Sequence, residues 1–158
     1  MTYATYTSYV TSISVTDARK RWADVFSQAV EDRSPVPIER GSGERGLLIG
    51  FDEVMLLLDP YAFTTEVFFE PDAVSIWVPE LQLYGRGAAF EDAQADLVDE
   101  VIAYVEEFLA DARLYLRSPN RAAHFPWILR AYVANAAGGL VGALFAAPED
   151  VPEPVAAA

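Results

Sequence analysis

Acidic side chains dominate the chemistry that this sequence could perform. Its 158 residues include 24 Asp and Glu, 11 Lys and Arg and one His, for a formal net charge of −13, and there is no Cys. The lack of cysteine excludes thiolate catalysis, disulfides and cysteine-ligated zinc. The single histidine, His124, has no candidate nucleophile or metal ligands beside it, so we expect it to be structural or solvated. The sequence therefore predicts a protein that is not an enzyme and that holds no metal or other cofactor.

Seven of the acids recur along a stretch with helical periodicity, from Phe90 to Leu116, and their spacing places them on one side of that helix. A metal site would need other ligands converging on them, and a glycosidase would need a supporting signature; neither is visible. Two interpretations stay open: a solvated face, or a surface for a basic partner that relieves the repulsion between acids four residues apart. The acids are Asp92, Asp96, Asp99, Glu100, Glu106, Glu107 and Asp111.

Basic residues cluster at the start of an earlier predicted helix, where Arg19, Lys20 and Arg21 follow Thr16, whose hydroxyl is a suitable N-cap. Positive charge at a helix N-terminus opposes the helix macrodipole by about 0.3–1 kcal/mol per charge. Phosphate groups would reverse that penalty, because helix N-termini and basic side chains both favour anions. The cluster is therefore either a set of solvated charges or a contact for nucleic acid.

The stretch Gly41-Ser42-Gly43-Glu44-Arg45-Gly46 has the letters of a dinucleotide-binding motif. Such a site requires a helix directly after the glycines, whereas residues 47–51 are typical of a strand. We therefore expect the tip of a hairpin, flanked by Arg40. Before it, Pro35 and Pro37 remove two backbone donors from one side of the first hairpin strand, so that side should be a sheet edge or unpaired.

Residues 13–58 follow the order strand, helix, hairpin and short helix. The segment begins Ile13-Ser14-Val15-Thr16-Asp17-Ala18-Arg19 and closes Leu47-Leu48-Ile49-Gly50-Phe51-Asp52, which resembles the Phd/YefM family of antitoxins. This resemblance implies a homodimer that binds its own operator DNA, with Thr16 and Arg19 on the family's pattern. We add Lys20 to the expected DNA contact because it neighbours Arg19, and Arg40 because it flanks the hairpin tip and could touch phosphate. One face of the helix is apolar, at Ala18, Trp22, Val25, Phe26, Ala29 and Val30.

A second resemblance covers about residues 66–116. Alternation at Val74, Ile76 and Val78 predicts a strand with one face buried. The run Val78-Pro79-Glu80-Leu81, then Gly85 and Gly87, then Phe90-Glu91-Asp92-Ala93, resembles HicB-like antitoxin domains. The resemblance implies a sheet with a long covering helix, which in that family covers a ribonuclease toxin.

The predicted protein is of the α+β class, and it is expected in the cytoplasm because no signal peptide is visible. The apolar run 131–147 is shorter than the roughly 20 residues that a membrane-spanning helix needs, so no membrane contact is expected. The predicted divisions are a flexible arm (1–12), a Phd/YefM-like module (13–60), a HicB-like domain (61–117), a C-terminal helical segment (118–147) and a disordered tail (148–158).

Charge divides unevenly along the chain: residues 1–60 hold six basic and nine acidic residues, and residues 61–158 hold five and fifteen. We predict a type II antitoxin that binds operator DNA through its first half and neutralises a basic ribonuclease toxin through its acidic second half. A DNA-binding regulator or scaffold without a toxin is the alternative, and a hydrolase or transferase is a third option without a visible nucleophile. The expected toxin contacts are Asp96, Asp99, Glu100, Glu106, Glu107, Trp127, Ile128 and Tyr132.

Overall fold

The structure is a computed structural model, and it describes residues 11–146. The chain divides between Leu57 and Leu58 into two compact units. Each unit combines helices with a three-stranded sheet, so the predicted α+β class is confirmed. No helix within 11–146 is long and apolar enough to cross a membrane. The predicted arm (1–12) and tail (148–158) lie almost entirely outside the described residues.

The first unit is a small sheet with two helices between its first and second strands and one helix after its third strand. In chain order its elements are β1 (Ile13–Ser14), α1 (Val15–Lys20), α2 (Trp22–Val30), β2 (Val36–Glu39), β3 (Arg45–Leu48) and α3 (Phe51–Leu57). β2 is the central strand; β1 pairs with it in parallel, and β3 pairs with it antiparallel. This is the predicted order of strand, helix, hairpin and helix.

The first helix starts and ends differently from the prediction. Its N-cap is Ser14 rather than Thr16: the Ser14 hydroxyl accepts from the Asp17 N–H at 3.0 Å and donates to the Asp17 carboxylate at 2.7 Å. The helix therefore begins two residues before the predicted start. It is also broken at Arg21, whose φ of −121° and ψ of 33° separate α1 from α2. The second half ends at Val30.

The hairpin prolines do not leave β2 at an edge. Pro37 pairs with Leu47 of β3, and on the other side β1 pairs with Ile38 and Glu39. On the side that lacks the proline donors, β2 is unpaired at Pro37, which was one of the two alternatives expected. It is not a sheet edge, because the two-residue β1 pairs with β2 beyond the prolines, where backbone donors are present again. The hairpin tip itself is as predicted, with Gly43 at a positive φ of 86°.

The second unit begins with a 3₁₀ turn (Asp59–Tyr61) and contains β4 (Glu66–Phe69), β5 (Val74–Val78), β6 (Leu83–Gly87), α4 (Phe90–Ala110), α5 (Ala112–Tyr115), α6 (Pro119–Ala122), α7 (Phe125–Ala136) and α8 (Leu140–Phe145). Its sheet is antiparallel, in the order β4-β5-β6. Along β5, Val74, Ile76 and Val78 are buried and alternate with half-buried residues, as predicted.

The long helix α4 lies against β6, and glycine makes the close approach possible. A Cβ on Gly85 would come within 2.3 Å of the Ala93 carbonyl oxygen, and one on Gly87 within 2.4 Å of the Asp92 side chain. The predicted helix to Leu116 is interrupted at Asp111, where φ is −132° and ψ is 52°. The Asp111 carboxylate instead accepts from the N–H of residue 114 and caps the short α5.

The C-terminal helices share the core of this unit. Phe108 of α4, Ile128 of α7 and Leu144 of α8 are each fully buried, in one cluster with Ile76 of β5. The expectation that Ile128 would contact a partner was therefore wrong, because its side chain is already covered by its own unit. In the first unit, by contrast, the buried cluster holds only Val25, Ala29 and Val36, with Ile13, Ile38 and Leu48 packed against it.

Candidate functional site

Two of the predicted DNA-binding cations lie together and have no acidic partner among the described residues. Thr16, Arg19 and Lys20 line one shallow hollow of about 320 Å³. Arg19 and Lys20 form no ion pair with any described residue, whereas Arg21 beside them pairs with Asp24 at 3.3 Å. Because α1 ends at Lys20, both cations lie in its last turn, where the macrodipole favours positive charge. The predicted conflict with the macrodipole is therefore absent.

Arg40 lies at the hairpin tip, in a different setting. Its guanidinium donates to the Glu44 carboxylate at 3.0 Å, and the Ser42 hydroxyl donates to the same carboxylate at 3.1 Å. Arg40 lines a second open hollow, of about 420 Å³, together with Val15 and Arg45. The structure therefore does not bring Arg40 into the hollow of Arg19 and Lys20, and an acid already offsets part of its charge.

The first unit also exposes an apolar face. Trp22, Phe26 and Val30, one turn apart along α2, are 51%, 48% and 41% exposed, beside the buried Val25 and Ala29. The helix is thus apolar over a wider arc than its own sheet covers. None of the residues of α3 is buried, and Phe51, Leu56 and Leu57 are exposed. A solvated helix of this composition is typical of a surface that a partner covers.

The acids of α4 face solvent, as the spacing predicted, but they are not equivalent. The Asp96 carboxylate accepts from the backbone N–H of Arg86 in β6 at 2.8 Å. The Glu107 carboxylate accepts from the Tyr115 hydroxyl, which raises the pKa of Tyr115. The predicted contacts Asp96 and Glu107 therefore already hold parts of their own unit together. The remaining three, Asp99, Glu100 and Glu106, are exposed and form no ion pair within the described chain.

Of the three expected apolar anchors, one remains available. Ile128 is buried, and the Trp127 indole donates to the Ala62 carbonyl at 3.4 Å and contacts the Tyr61 ring edge-on at 5.2 Å. Both side chains thus hold their own unit together. Tyr132 is 49% exposed and borders a small cavity of about 90 Å³ beneath α4.

A buried polar network around the single histidine was not visible in the sequence. The Tyr104 hydroxyl lies 2.8 Å from His124 Nδ1, and Arg121 donates to the same hydroxyl at 2.9 Å. Burial, and then the Arg121 guanidinium, lower the pKa of His124. Because Arg121 supplies a donor to the hydroxyl oxygen, the Tyr104 proton is free to be donated to Nδ1 of a neutral imidazole. His124 thus joins α4 to the C-terminal helices, the structural role that was one of the two expected.

The described residues contain no group of three or more His, Cys, Asp or Glu side chains placed to hold a metal ion. The uncommitted groups are therefore cations and an apolar face on the first unit, and carboxylates on the second. These are surfaces suited to binding macromolecules.

Comparisons with known proteins agree with this character. The model of a PHD-like family, described as the antitoxin of RelE/RelB toxin–antitoxin systems, matches residues 10–142. A crystal structure of the antitoxin part of a proposed toxin/antitoxin system from Syntrophomonas wolfei subsp. wolfei has a similar fold, with a TM-score of 0.69 and 20% identity over 84% of this chain and 95% of that one. Among curated proteins, none matches the sequence. One family model spans both units, although two separate resemblances were expected from the sequence, and the chain belongs to this PHD-like antitoxin family.

Proposed function

We propose that the protein is an antitoxin that binds its own operator DNA as a homodimer through the first unit and neutralises a basic ribonuclease toxin through the second. The observation that carries the proposal is that free cations and an uncovered apolar face occur together in one small unit. Arg19 and Lys20 have no acidic partner in the described chain, and Trp22 and Phe26 remain half exposed a few residues later.

Dimerisation follows from the small size of the core. A buried apolar cluster of three residues is small for a unit of about 47 described residues, because small units bury a low fraction of their surface. A two-fold contact through the apolar face of α2 would extend this core across the dimer. It would also double the number of cations facing one duplex, which matters for a chain whose net charge is −13.

DNA binding through Arg19 and Lys20 would be mainly electrostatic. Each contact between a cation and a phosphate releases counterions, so that the logarithm of the binding constant falls with the logarithm of the salt concentration by about 0.9 per contact. Arg40 is the weaker of the candidates, because Glu44 shares its guanidinium. Thr16, which lines the same hollow, would contribute a hydroxyl donor to a phosphate oxygen.

The second unit suits a basic protein. Residues 61–158 hold fifteen acids and five basic residues. A ribonuclease must hold RNA, so its active surface is expected to be basic, and carboxylates placed over it would both steer association and exclude the substrate. Asp99, Glu100 and Glu106 are the α4 acids free for this role, and Tyr132 is the exposed aromatic residue near them.

The test uses a fluorescent duplex from the DNA upstream of the protein's own gene, titrated by anisotropy at several salt concentrations. The variant Arg19→Ala/Lys20→Ala should weaken binding and lower the salt slope by roughly 3.6, for four lost contacts in the dimer at about 0.9 each. The control, Arg113→Ala/Arg117→Ala, removes the same charge from exposed positions of the second unit and should bind like the parent. Equal salt slopes for the two double variants would show that Arg19 and Lys20 do not contact DNA.

A further inference from the structure

The two edge strands of the second sheet differ in whether their outward backbone groups have partners. At the β6 edge, the outward N–H of Arg86 donates to the Asp96 carboxylate at 2.8 Å, and glycines let α4 lie against the strand. At the β4 edge, no described residue pairs with the strand on its outer side. All four residues of β4 are exposed. The chain closes one edge of this sheet and leaves the other open.

The hydrogen-bond pattern identifies which groups of β4 are open. The Glu70 N–H donates to the Ala73 carbonyl at 2.9 Å, which closes the hairpin to β5. In an antiparallel ladder, hydrogen-bonded pairs alternate with non-bonded pairs. Phe68 therefore bonds to β5, while Val67 and Phe69 direct their N–H and C=O groups outward. The same alternation predicts that Arg86 points out of the opposite edge, which is where Asp96 accepts from it.

The side chains of this edge strand are exposed, just as its outward backbone groups are unpaired. Phe69 is 77% exposed, Phe68 47% and Val67 37%. Because side chains alternate along a strand, Phe68 lies on one face of the sheet and its two neighbours on the other. Proteins usually protect an edge strand with charges, prolines or bulges along its length. Here the charges, Glu66 and Glu70, lie only at the ends, and an apolar strand with free donors and acceptors lies between them.

We propose that β4 is a docking strand, to which an extended segment of a basic partner protein adds as an antiparallel fourth strand. The inference rests on the proposed function, because that partner would be the neutralised toxin. Main-chain hydrogen bonds to Val67 and Phe69 would hold the segment, and pockets beside the exposed rings would select its side chains. This edge is separate from the acids of α4, which would act by steering.

The charges favour a different, basic protein over a second copy of this chain. Within β4, the register that engages the outward groups of both copies sets Val67 opposite Phe69, and it also sets Glu66 opposite Glu70 twice. Like charges directly opposite each other destabilise a strand pair. Glu70 already bonds to Arg86 at 3.0 Å, so Glu66 is the charge without a partner in the described chain. A Lys or Arg on an added strand would form an ion pair with Glu66.

The test exploits the outward N–H of Val67. Val67→Pro removes this donor and obstructs the edge, yet it leaves the ladder to β5 intact, because prolines are tolerated where the N–H faces away from the sheet. Val67→Thr keeps the donor, the branched shape and the strand preference, and is the matched control. The binding probe is the purified product of the reading frame adjacent to the protein's gene, titrated by calorimetry against the full chain.

We expect Val67→Pro to raise the dissociation constant about 10- to 100-fold and Val67→Thr to leave it within about 3-fold. Residue-resolved hydrogen exchange on the parent chain gives a readout that does not depend on the variant's folding. Addition of the partner should protect the amides of Val67 and Phe69, while the Phe68 amide is already protected in the free protein.

Three results would overturn the proposal, each in a distinguishable way. If the parent binds the adjacent gene product and Val67→Pro binds equally well, or if the two amides exchange unchanged, the edge is not the docking site but the proposed function stands. If the two amides become protected with rising concentration of the chain alone, a second copy occupies the edge. If the parent does not bind the adjacent product at all, the proposed function fails together with this inference.

Discussion

Removing one ring from the apolar face of α2 should dissociate the proposed dimer without unfolding the chain. Phe26 is 48% exposed in the single chain, and a Phe side chain can bury roughly 150–250 Å², so about 80 Å² of it remains for a partner to cover. At about 25 cal/mol per Å², its truncation to Ala costs about 2 kcal/mol per copy. A two-fold dimer contains two copies, so the loss is about 4 kcal/mol, or roughly 1000-fold in the dissociation constant.

The assay for Phe26→Ala is sedimentation velocity across a concentration series, with circular dichroism to check the fold. The parent should sediment as a dimer of twice the 17.4 kDa chain mass at micromolar concentration, and the variant as a single chain. Leu114→Ala, which truncates a 58% exposed side chain of the second unit, is the control and should remain dimeric. A parent that stays at 17.4 kDa at the highest concentration, or a variant as dimeric as the parent, would show that the apolar face of α2 does not form a dimer.

Three further predictions concern the second unit. Burial lowers the pKa of His124, so that below about pH 6.5 the unfolded state binds more protons than the folded state. The free energy of unfolding should therefore fall between pH 7.5 and pH 5, and it should fall by more for the parent than for His124→Gln. Urea titration at each pH measures this difference. Gly85→Ala would place a Cβ 2.3 Å from a carbonyl oxygen of α4 and should lower the free energy of unfolding by about 3 kcal/mol or more. Gly142→Ala in α8, where a Cβ would meet nothing within 4 Å, should leave the melting temperature unchanged or raise it. Asp96→Ala removes the acceptor for an edge N–H and should lower stability by about 1–2 kcal/mol relative to Asp99→Ala, whose carboxylate makes no bond in the described chain; equal melting temperatures would contradict this.

Periodicity in the sequence predicted one buried strand and the long helix of the second unit, whereas the sheet beneath that helix was expected from the resemblance. The alternation Val74, Ile76, Val78 indicated the buried strand, but the close approach of α4 at Gly85 and Gly87 was not predicted. The acidic side of α4 was also predicted, because a helix maps sequence spacing directly onto a face. What spacing could not show is that Asp96 lies opposite the free N–H of β6, a contact that requires the tertiary structure.

A local signal accounts for one of the errors, and two others have no mark in the sequence. Ser14 and Asp17 are three residues apart, the spacing of a reciprocal N-cap contact, and this signal could have identified the helix start. The break at Arg21 has no such mark, since neither glycine nor proline stands there. Ile128 was misassigned because an apolar residue on an apolar helix can face either its own core or a partner, and composition alone does not distinguish the two.

The central claim is that this chain neutralises a toxin, and growth rescue tests it most directly. The product of the adjacent reading frame is expressed in bacteria from an inducible promoter, with or without this chain on a second plasmid, and growth is followed after induction. If this chain is an antitoxin, the adjacent product alone should arrest growth, and co-expression of this chain should restore it. Arrest that persists while the chain accumulates in soluble form, or an adjacent product that never arrests growth, would contradict the account.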